Sequence, residues 1–239
     1  MKKSKLYYPK LTIITIVLND KEGFVKTLES VKKQNKSLFE FIVIDGGSND
    51  GTLEIILENS KFIDNYISEP DKGIYNAYNK GIKLSKGYSI LFLNAGDYFI
   101  GDVIYEEMLK YPILIPVKFD NIFGKISNYR RRDYRLSHPY NLQGIIFENK
   151  GIYFDESFKI ASDYDFYLRH GYKNLKIYKT KGYVLYDNNG ISTTQYQLKY
   201  KECGEIIYKH FGILNYIQYM IRVSIKHLIK LFLKFLKFI

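Results

Sequence analysis

The chain has 239 residues, 46% of them hydrophobic and 26% charged, which is enough to bury one sizeable core and excludes a disordered or fibrous chain. Its 36 basic and 25 acidic residues leave a net charge of +11, a balance that suits nucleic acid, an anionic membrane surface or anionic substrates. Cys203 is the single cysteine, so an internal disulfide, a thiolate-rich metal site and a redox pair are excluded, and a reducing cytosol fits.

In chain order, the charged start Met1-Lys-Lys-Ser-Lys followed by the apolar run Leu11 to Leu18 has the outline of a signal peptide. Pro9 and Lys10 separate its parts, the run is too short for a span, and no small-residue cleavage pattern follows, so the run is taken as a β-branched first strand. A helix is expected from Glu22 to Gln34, a strand from Glu40 to Asp45 and a helix from Thr52 to Asn59. The rhythm repeats with a short strand at Tyr66 to Ser68, a helix from Gly73 to Ser85 and a strand from Tyr88 to Leu93. Strands alternating with helices imply right-handed crossovers and a parallel sheet covered on both faces, an α/β fold. Beyond Pro112 the rhythm loosens: strands are expected at residues 113–119 and 121–127, then a helix from Ser162 to Gly171 and a strand near Leu175 to Tyr178. No internal repeat, low-complexity linker or hinge interrupts the chain.

Three polar segments follow strands or open helices. Phe41 to Ile44 is an apolar run that ends in Asp45 and the Gly46-Gly47 turn, placing an acid where open α/β sheets bind ligands. A plain tight loop, with Ser48 or Asp50 near a helix N-cap, explains the same residues. Ile90 to Leu93 runs into Asn94-Ala-Gly-Asp97 at the same edge. A carboxylate there suits Mg²⁺ or Mn²⁺, hard ions that share oxygen ligands with a substrate's phosphates; the alternative is a turn with Asp97 capping a helix that begins near Asp102. Between them, Pro70 and Gly73 frame a loop before a helix N-terminus, where phosphates are attracted and where Lys72 or Lys80 adds positive charge.

These segments, in this order and at this spacing, resemble the nucleotide-sugar-binding half of family 2 glycosyltransferases of the bacterial surface-polysaccharide type, over roughly Pro9 to Tyr186. The resemblance implies the GT-A fold, with a mostly parallel central sheet flanked by helices. It implies nucleotide contacts at Thr15, Asn19, Asp45, Asp71 and Asn79, with Asp45 in the place of the acid that recognises uracil. Asn94-Ala-Gly-Asp97 matches the metal-binding acidic motif but has Asn94 and Gly96 where acids are usual, so Asp97, helped by Asn94, carries the expectation of Mn²⁺ or Mg²⁺. Phe154 to Arg169 matches the acceptor-side motif, which makes Asp163 the catalytic base, with Ser162 in place of the usual glutamate. Inverting transfer needs such a carboxylate to take the proton of the acceptor hydroxyl. Asp163 and Asp165 also fit as acids favoured by a helix N-terminus. Where relatives carry His-Gln, this chain has Leu142-Gln143, and His138 is given no role. Arg130, Arg131, Arg132 and Arg135 form a basic cluster that suits a solvated loop or a phosphate contact.

The C-terminal segment stands apart in composition. From Ile206 onward there is no acidic residue, and Lys209, Arg222, Lys226, Lys230, Lys234 and Lys237 supply six of the eleven net charges. From Tyr219 the basic residues recur at helical spacing among Ile, Leu and Phe, so a GT-A domain at 1–212 and a basic amphipathic helix at 213–239 are expected. Such a helix suits the headgroup plane of an anionic membrane, and packing on protein is its alternative. The implied partners are a nucleotide-sugar donor, expected to be UDP-linked, a glycan or lipid-linked acceptor, and, through the C-terminal helix, the anionic inner face of the cell membrane. A nucleotide-sugar-binding module without catalysis and a nucleic-acid binder are the rival readings; no nucleic-acid partner is expected, because the basic excess sits in an apolar segment and not along a groove.

Overall fold

The computed structural model describes residues 11–110, 112–119, 133–138, 140–172, 175–186 and 195–236. Its centre is β1 (Leu11–Val17) and β2 (Phe39–Asp45), β-branched and aromatic runs buried on both faces. β3 (Asn65–Ser68) pairs parallel with β2, and β4 (Ser89–Phe92) pairs parallel with the other side of β1. The sheet is completed by β8 (Ile145–Glu148), β6 (Ile113–Leu114) and β9 (Lys176–Ile177), in the order β3-β2-β1-β4-β8-β6-β9, with β8 antiparallel to its neighbours. A second sheet has the order β5 (Tyr98–Ile100), β10 (Tyr183–Tyr186), β7 (Val117–Phe119).

Alternation along the strands divides the core into two layers. Ile13, Phe41 and Leu91 pack with Phe24, Leu28 and Val31 of α1 (Lys21–Lys32) on one face. Ile14 and Phe92 pack on the other face with Tyr75, Tyr78 and Ile82 of α3 (Ile74–Leu84) and with Phe166 and Tyr167 of α4 (Ser162–Arg169). There Phe154 stacks on Phe166 at 4.0 Å between ring centroids. α2 (Thr52–Glu58) contributes Ile56 to the first layer. At the amino edge of the sheet the buried Glu40 accepts from Thr12 Oγ1 (2.6 Å) and Gly87 N (3.0 Å), joining β1 and β2 to the turn before β4.

Two local expectations are corrected. No α-helix begins near Asp102: residues 98–100 form β5, and Glu106–Lys110 is a short 3-10 helix. The cause is α1 and the turn after it: Ser30 Oγ of the helix accepts from Phe99 N (3.0 Å), and Gln34 Oε1, just past its end, accepts from Val103 N (2.9 Å), so the extended backbone finds its partners there. The strand expected across residues 113–119 divides at Pro116, which has no N–H to give a ladder; β6 stays in the large sheet and β7 joins the small one. The strand expected at 121–127 lies outside the described residues, as do Arg130, Arg131 and Arg132.

The C-terminal helix α5 (Tyr196–Leu236) is broken at Gly212, whose φ of 78° is the left-handed conformation glycine adopts freely. Beyond the break the chain folds back: a Cβ on Gly204 would lie 3.1 Å from the Tyr216 ring, and Tyr219 donates its hydroxyl to Tyr200 O at 3.1 Å. Residues 196–211 pack on α4 through Tyr164, Cys203, Ile206 and Ile207.

α3 approaches β1 closely because Gly81 has no side chain; a Cβ there would fall 2.5 Å from Ile14 Cγ2. Gly81→Ala should therefore destabilise the fold by about 1–3 kcal/mol through overpacking, read as a lower midpoint of urea unfolding at unchanged slope.

Candidate active site

β1 and β2 end level, with Val17 beside Asp45, and β4 continues along β1 through Leu93 N to Ile14 O (2.9 Å) and Ala95 N to Ile16 O (3.1 Å). Their carboxyl ends thus open on one crevice, the place where open α/β sheets hold ligands. Asp45 closes β2 and is fully buried. Its carboxylate accepts from Ser48 N (3.1 Å) and from Ser68 Oγ (2.6 Å), holding the glycine turn against β3. Gly46 N donates to Val17 O at 2.9 Å, and Gly47, at a φ of 85°, leaves only 3.3 Å between a would-be Cβ and Pro70 N. Asn19 has a φ of 49°, unusual for a residue other than glycine; its Oδ1 accepts from Asn49 N (2.9 Å) and its N–H donates to Ser48 Oγ (2.8 Å). The exits of β1 and β2 are therefore one braced unit.

Three expected contacts are engaged inside the protein. Thr15 is fully buried and donates its hydroxyl to Leu93 O at 2.7 Å, tying β1 to the end of β4. Asp71 pairs with Lys80 Nζ at 2.7 Å, and Lys80 also meets Glu69 at 2.8 Å. Partial burial disfavours the Lys80 ammonium, but those two carboxylates outweigh it and hold its pKa above the ordinary value. Asn79 spends both ends of its amide: Oδ1 accepts from Phe154 N (2.7 Å), and Nδ2 donates to Phe154 O (3.0 Å) and Glu156 Oε1 (2.8 Å). Its side chain fastens the segment leading to α4.

At the end of β4, Asn94 and Asp97 form a turn closed by Asp97 N to Asn94 O (3.0 Å), with Thr27 Oγ1 of α1 donating to Asp97 O (2.7 Å). Asn94 Oδ1 accepts from the Tyr78 hydroxyl at 2.6 Å. Asp163 lies in the first turn of α4, where its Oδ1 accepts from Tyr164 N (2.9 Å) and its Oδ2 lies 3.6 Å from His138 Nδ1. Its side chain is 32% exposed, the accessibility a proton-accepting group needs. Tyr75 and Tyr78 of α3 bridge the two places. Burial raises the pKa of Tyr75, and the charge of Asp163 raises it further. Burial likewise raises Tyr78 against the bond to Asn94, with Asp97 adding to the rise, so both phenols are neutral at ordinary pH.

Asp97 and Asn94 offer oxygen donors of the kind Mn²⁺ and Mg²⁺ accept, but only one negative charge. Among the described residues no group of three or more His, Cys, Asp or Glu is placed to hold a metal. The donor set fits an ion that takes most of its ligands from a bound diphosphate.

Tyr75 and Tyr78 escaped the sequence reading because the chain has 24 tyrosines and nothing distinguishes these two except spacing of three on one helix face. Asp165 is fully buried, with Arg169 Nε at 2.6 Å and His210 Nε2 at 2.8 Å, so it joins α4 to α5. Burial raises its pKa, yet the bonds from His210 and Arg169 outweigh that and lower it. A carboxyl lowered in the folded state stabilises the protein above its unfolded pKa of about 3.9 and loses that contribution as pH falls through the lowered value. Asp165→Asn should cost about 2 kcal/mol at pH 7 and flatten the loss of stability below about pH 4, measured by urea unfolding across pH.

The glycosyl transferase family 2 model matches residues 12–165. An uncharacterized glycosyltransferase of Mycobacterium tuberculosis is 37% identical over 102 residues, 42% of this chain and 39% of that protein. A PGL/p-HBAD biosynthesis glycosyltransferase of the same organism is 27% identical over 191 residues, 67% of this chain and 69% of that protein. The chain thus matches about two fifths of the first relative's length. Among solved structures, S. aureus TarS 1-349 in complex with UDP-GlcNAc has a TM-score of 0.63 at 21% identity, covering 84% of this chain and 67% of that one. A mannosyltransferase of Pyrobaculum calidifontis in complex with GDP-Man and Mn²⁺ has a TM-score of 0.58 at 14% identity, covering 85% and 64%.

Proposed function

The chain belongs to glycosyl transferase family 2 and has the GT-A fold, and from that premise we propose that it transfers a sugar, with inversion, from a UDP-linked donor to a glycan or lipid-linked acceptor in bacterial surface polysaccharide assembly. The observation that carries the reading is the link through α3 between the two ends of the site: Tyr78 bonds Asn94 at the donor end, and the next turn back places Tyr75 near enough for the charge of Asp163, at the acceptor end, to raise its pKa.

Asp45, with Ser48 and Ser68 bound to it, shapes the recess for the uracil base, and Asn19 keeps the adjoining turn in place. The diphosphate lies toward Asn94 and Asp97, where the neutral phenol of Tyr78 fixes the Asn94 amide. A divalent ion, Mn²⁺ or Mg²⁺, held by Asp97 with Asn94 would neutralise charge developing on the departing diphosphate. Asp163 takes the proton of the acceptor hydroxyl as that oxygen bonds to the anomeric carbon. The bond from that carbon to the diphosphate oxygen breaks on the opposite face, and the nucleoside diphosphate carries away the electron pair. His138 Nδ1 stands 3.6 Å from the carboxylate.

Asp163→Asn should lower transfer about 10²–10⁴-fold with UDP affinity unchanged, whereas Asp45→Asn should weaken UDP binding before it abolishes turnover. A mass-spectrometric donor screen with and without Mn²⁺, combined with UDP titration of each variant, tests both. Full transfer by Asp163→Asn would remove the assigned base.

The acceptor reading draws on α5. Leu214, Ile217, Ile221, Ile225 and Leu228 are exposed and recur at i, i+3, i+7, i+11 and i+14, one helix face, while Arg222 and Lys226 lie away from it. Among the described residues no helix is long and apolar enough to cross a membrane. A helix of this kind lies in the interfacial plane, which would hold the crevice at the inner face of the cell membrane beside a lipid-linked acceptor. The protein should float with vesicles containing phosphatidylglycerol more than with phosphatidylcholine alone, and Leu214→Ser with Leu228→Ser should abolish flotation. Unchanged flotation would refute the membrane partner.

A further inference from the structure

Residues 196–211 of α5 do more than fill space behind α4. Glu202 is 5% exposed and reaches across to the segment that enters the helix of Asp163. One carboxylate oxygen accepts from Lys159 N at 2.7 Å; the other accepts from Ile160 N at 2.8 Å and Ala161 N at 2.9 Å. Ala161 is the N-cap of α4 and provides no side-chain cap, so the approach to the helix has no local device that fixes its direction. The fixing is supplied from residue 202 instead.

We propose that Glu202 is a positioning residue for the acceptor side of the site: by gathering the three backbone N–H groups just before Ser162, it sets where the first turn of α4 presents Asp163. The proposal rests on the transfer reading above and adds that the C-terminal helix up to Gly212 belongs to the active site. Its geometry differs from ordinary packing. A buried carboxylate that accepts three backbone donors fixes both the place and the direction of the strand of chain it holds, because each N–H must point at it. On the donor side, Asp45, Asn94 and Asp97 are held by β3, α3 and α1. On the far side of α4, Asp165 with His210 and Arg169 prevents the helix from turning about its axis. Glu202 and His210, both on α5, thus hold α4 at its start and along its length.

Displacement of a reacting group by about 1 Å can cost about 10²-fold in rate without changing substrate affinity. Glu202→Gln keeps the shape but offers one acceptor oxygen and an NH₂ where three N–H groups converge. Its kcat should fall 10–100-fold, with the donor KM and the Kd for UDP within about twofold of wild type. Glu202→Asp, which keeps the charge but is shorter by one methylene, should fall between and serves if the first variant folds poorly. Hydrogen exchange followed by mass spectrometry should show faster exchange at residues 159–164 and unchanged protection in β1 and β4. Tyr219→Phe, which loses a hydroxyl bound to Tyr200 O and beside Cys203, away from the entry to α4, should lower stability while keeping kcat. The proposal is overturned if Glu202→Gln keeps kcat, if donor KM and kcat worsen together, or if exchange at 159–164 is unchanged. A wild-type protein that transfers no sugar from any donor would instead overturn the transfer reading, and the exchange experiment would still decide whether Glu202 holds the entry to α4.

Discussion

The register of β1 with β2 and β4 is the constraint on which the site depends. Val17 is level with Asp45, and Ile14 is level with Phe92, so the polar residues that follow each strand emerge at one edge. Because side chains alternate with a period of two, a slip of one residue would exchange Ile13 and Ile14 between the layers and turn Asp45 away from Ser68. Burial on both faces makes that slip costly. The chemistry at the edge is therefore held by apolar packing some distance from it.

α3 distributes that order to the rest of the site. Residues of its first two turns serve different parts: Tyr78 bonds Asn94, Asn79 fastens Phe154, Lys80 pairs with Asp71, and Tyr75 stands within the field of Asp163. A helix can do this because successive side chains point about 100° apart. Gly81 lets the helix approach β1, which brings Tyr78 close enough for a 2.6 Å bond to Asn94. The aromatic stack of Phe154 and Phe166 then closes the layer between α3 and α4. Neutral buried phenols suit this position, since they donate hydrogen bonds without adding a charge beside two carboxylates.

The first half of the fold was legible because its signals are local. Apolar runs at Leu11, Phe39 and Ser89, separated by helix patterns of eleven or twelve residues, permit few arrangements other than a parallel sheet. The second half was less so, since the partners are distant in sequence. A single proline separates β6 from β7, and the chain after Asp97 stays extended because Ser30 of α1 and Gln34 just beyond it accept its N–H groups. Of the expected nucleotide contacts, Asp45 and Asn19 brace the crevice wall, while the side chains of Thr15 and Asn79 are committed to internal bonds. A polar residue at the right spacing shows the same pattern whether its hydrogen bonds go inward or to a ligand.

By itself the sequence determined the parallel α/β centre, the acid at the end of β2, the polar turn after β4, the acid that opens α4 and the basic, apolar character of the C-terminal helix. Each is encoded by neighbours in the chain, through periodicity, glycine at a turn or spacing within a motif. Only the tertiary structure decided that Tyr75 and Tyr78 stand between Asn94 and Asp163, that α5 folds back at Gly212, and that Glu202 gathers the backbone before α4. Those contacts join residues forty or more positions apart in the case of Glu202, and hydrogen bonds over such separations are selected by the packing of whole elements, which no local pattern records.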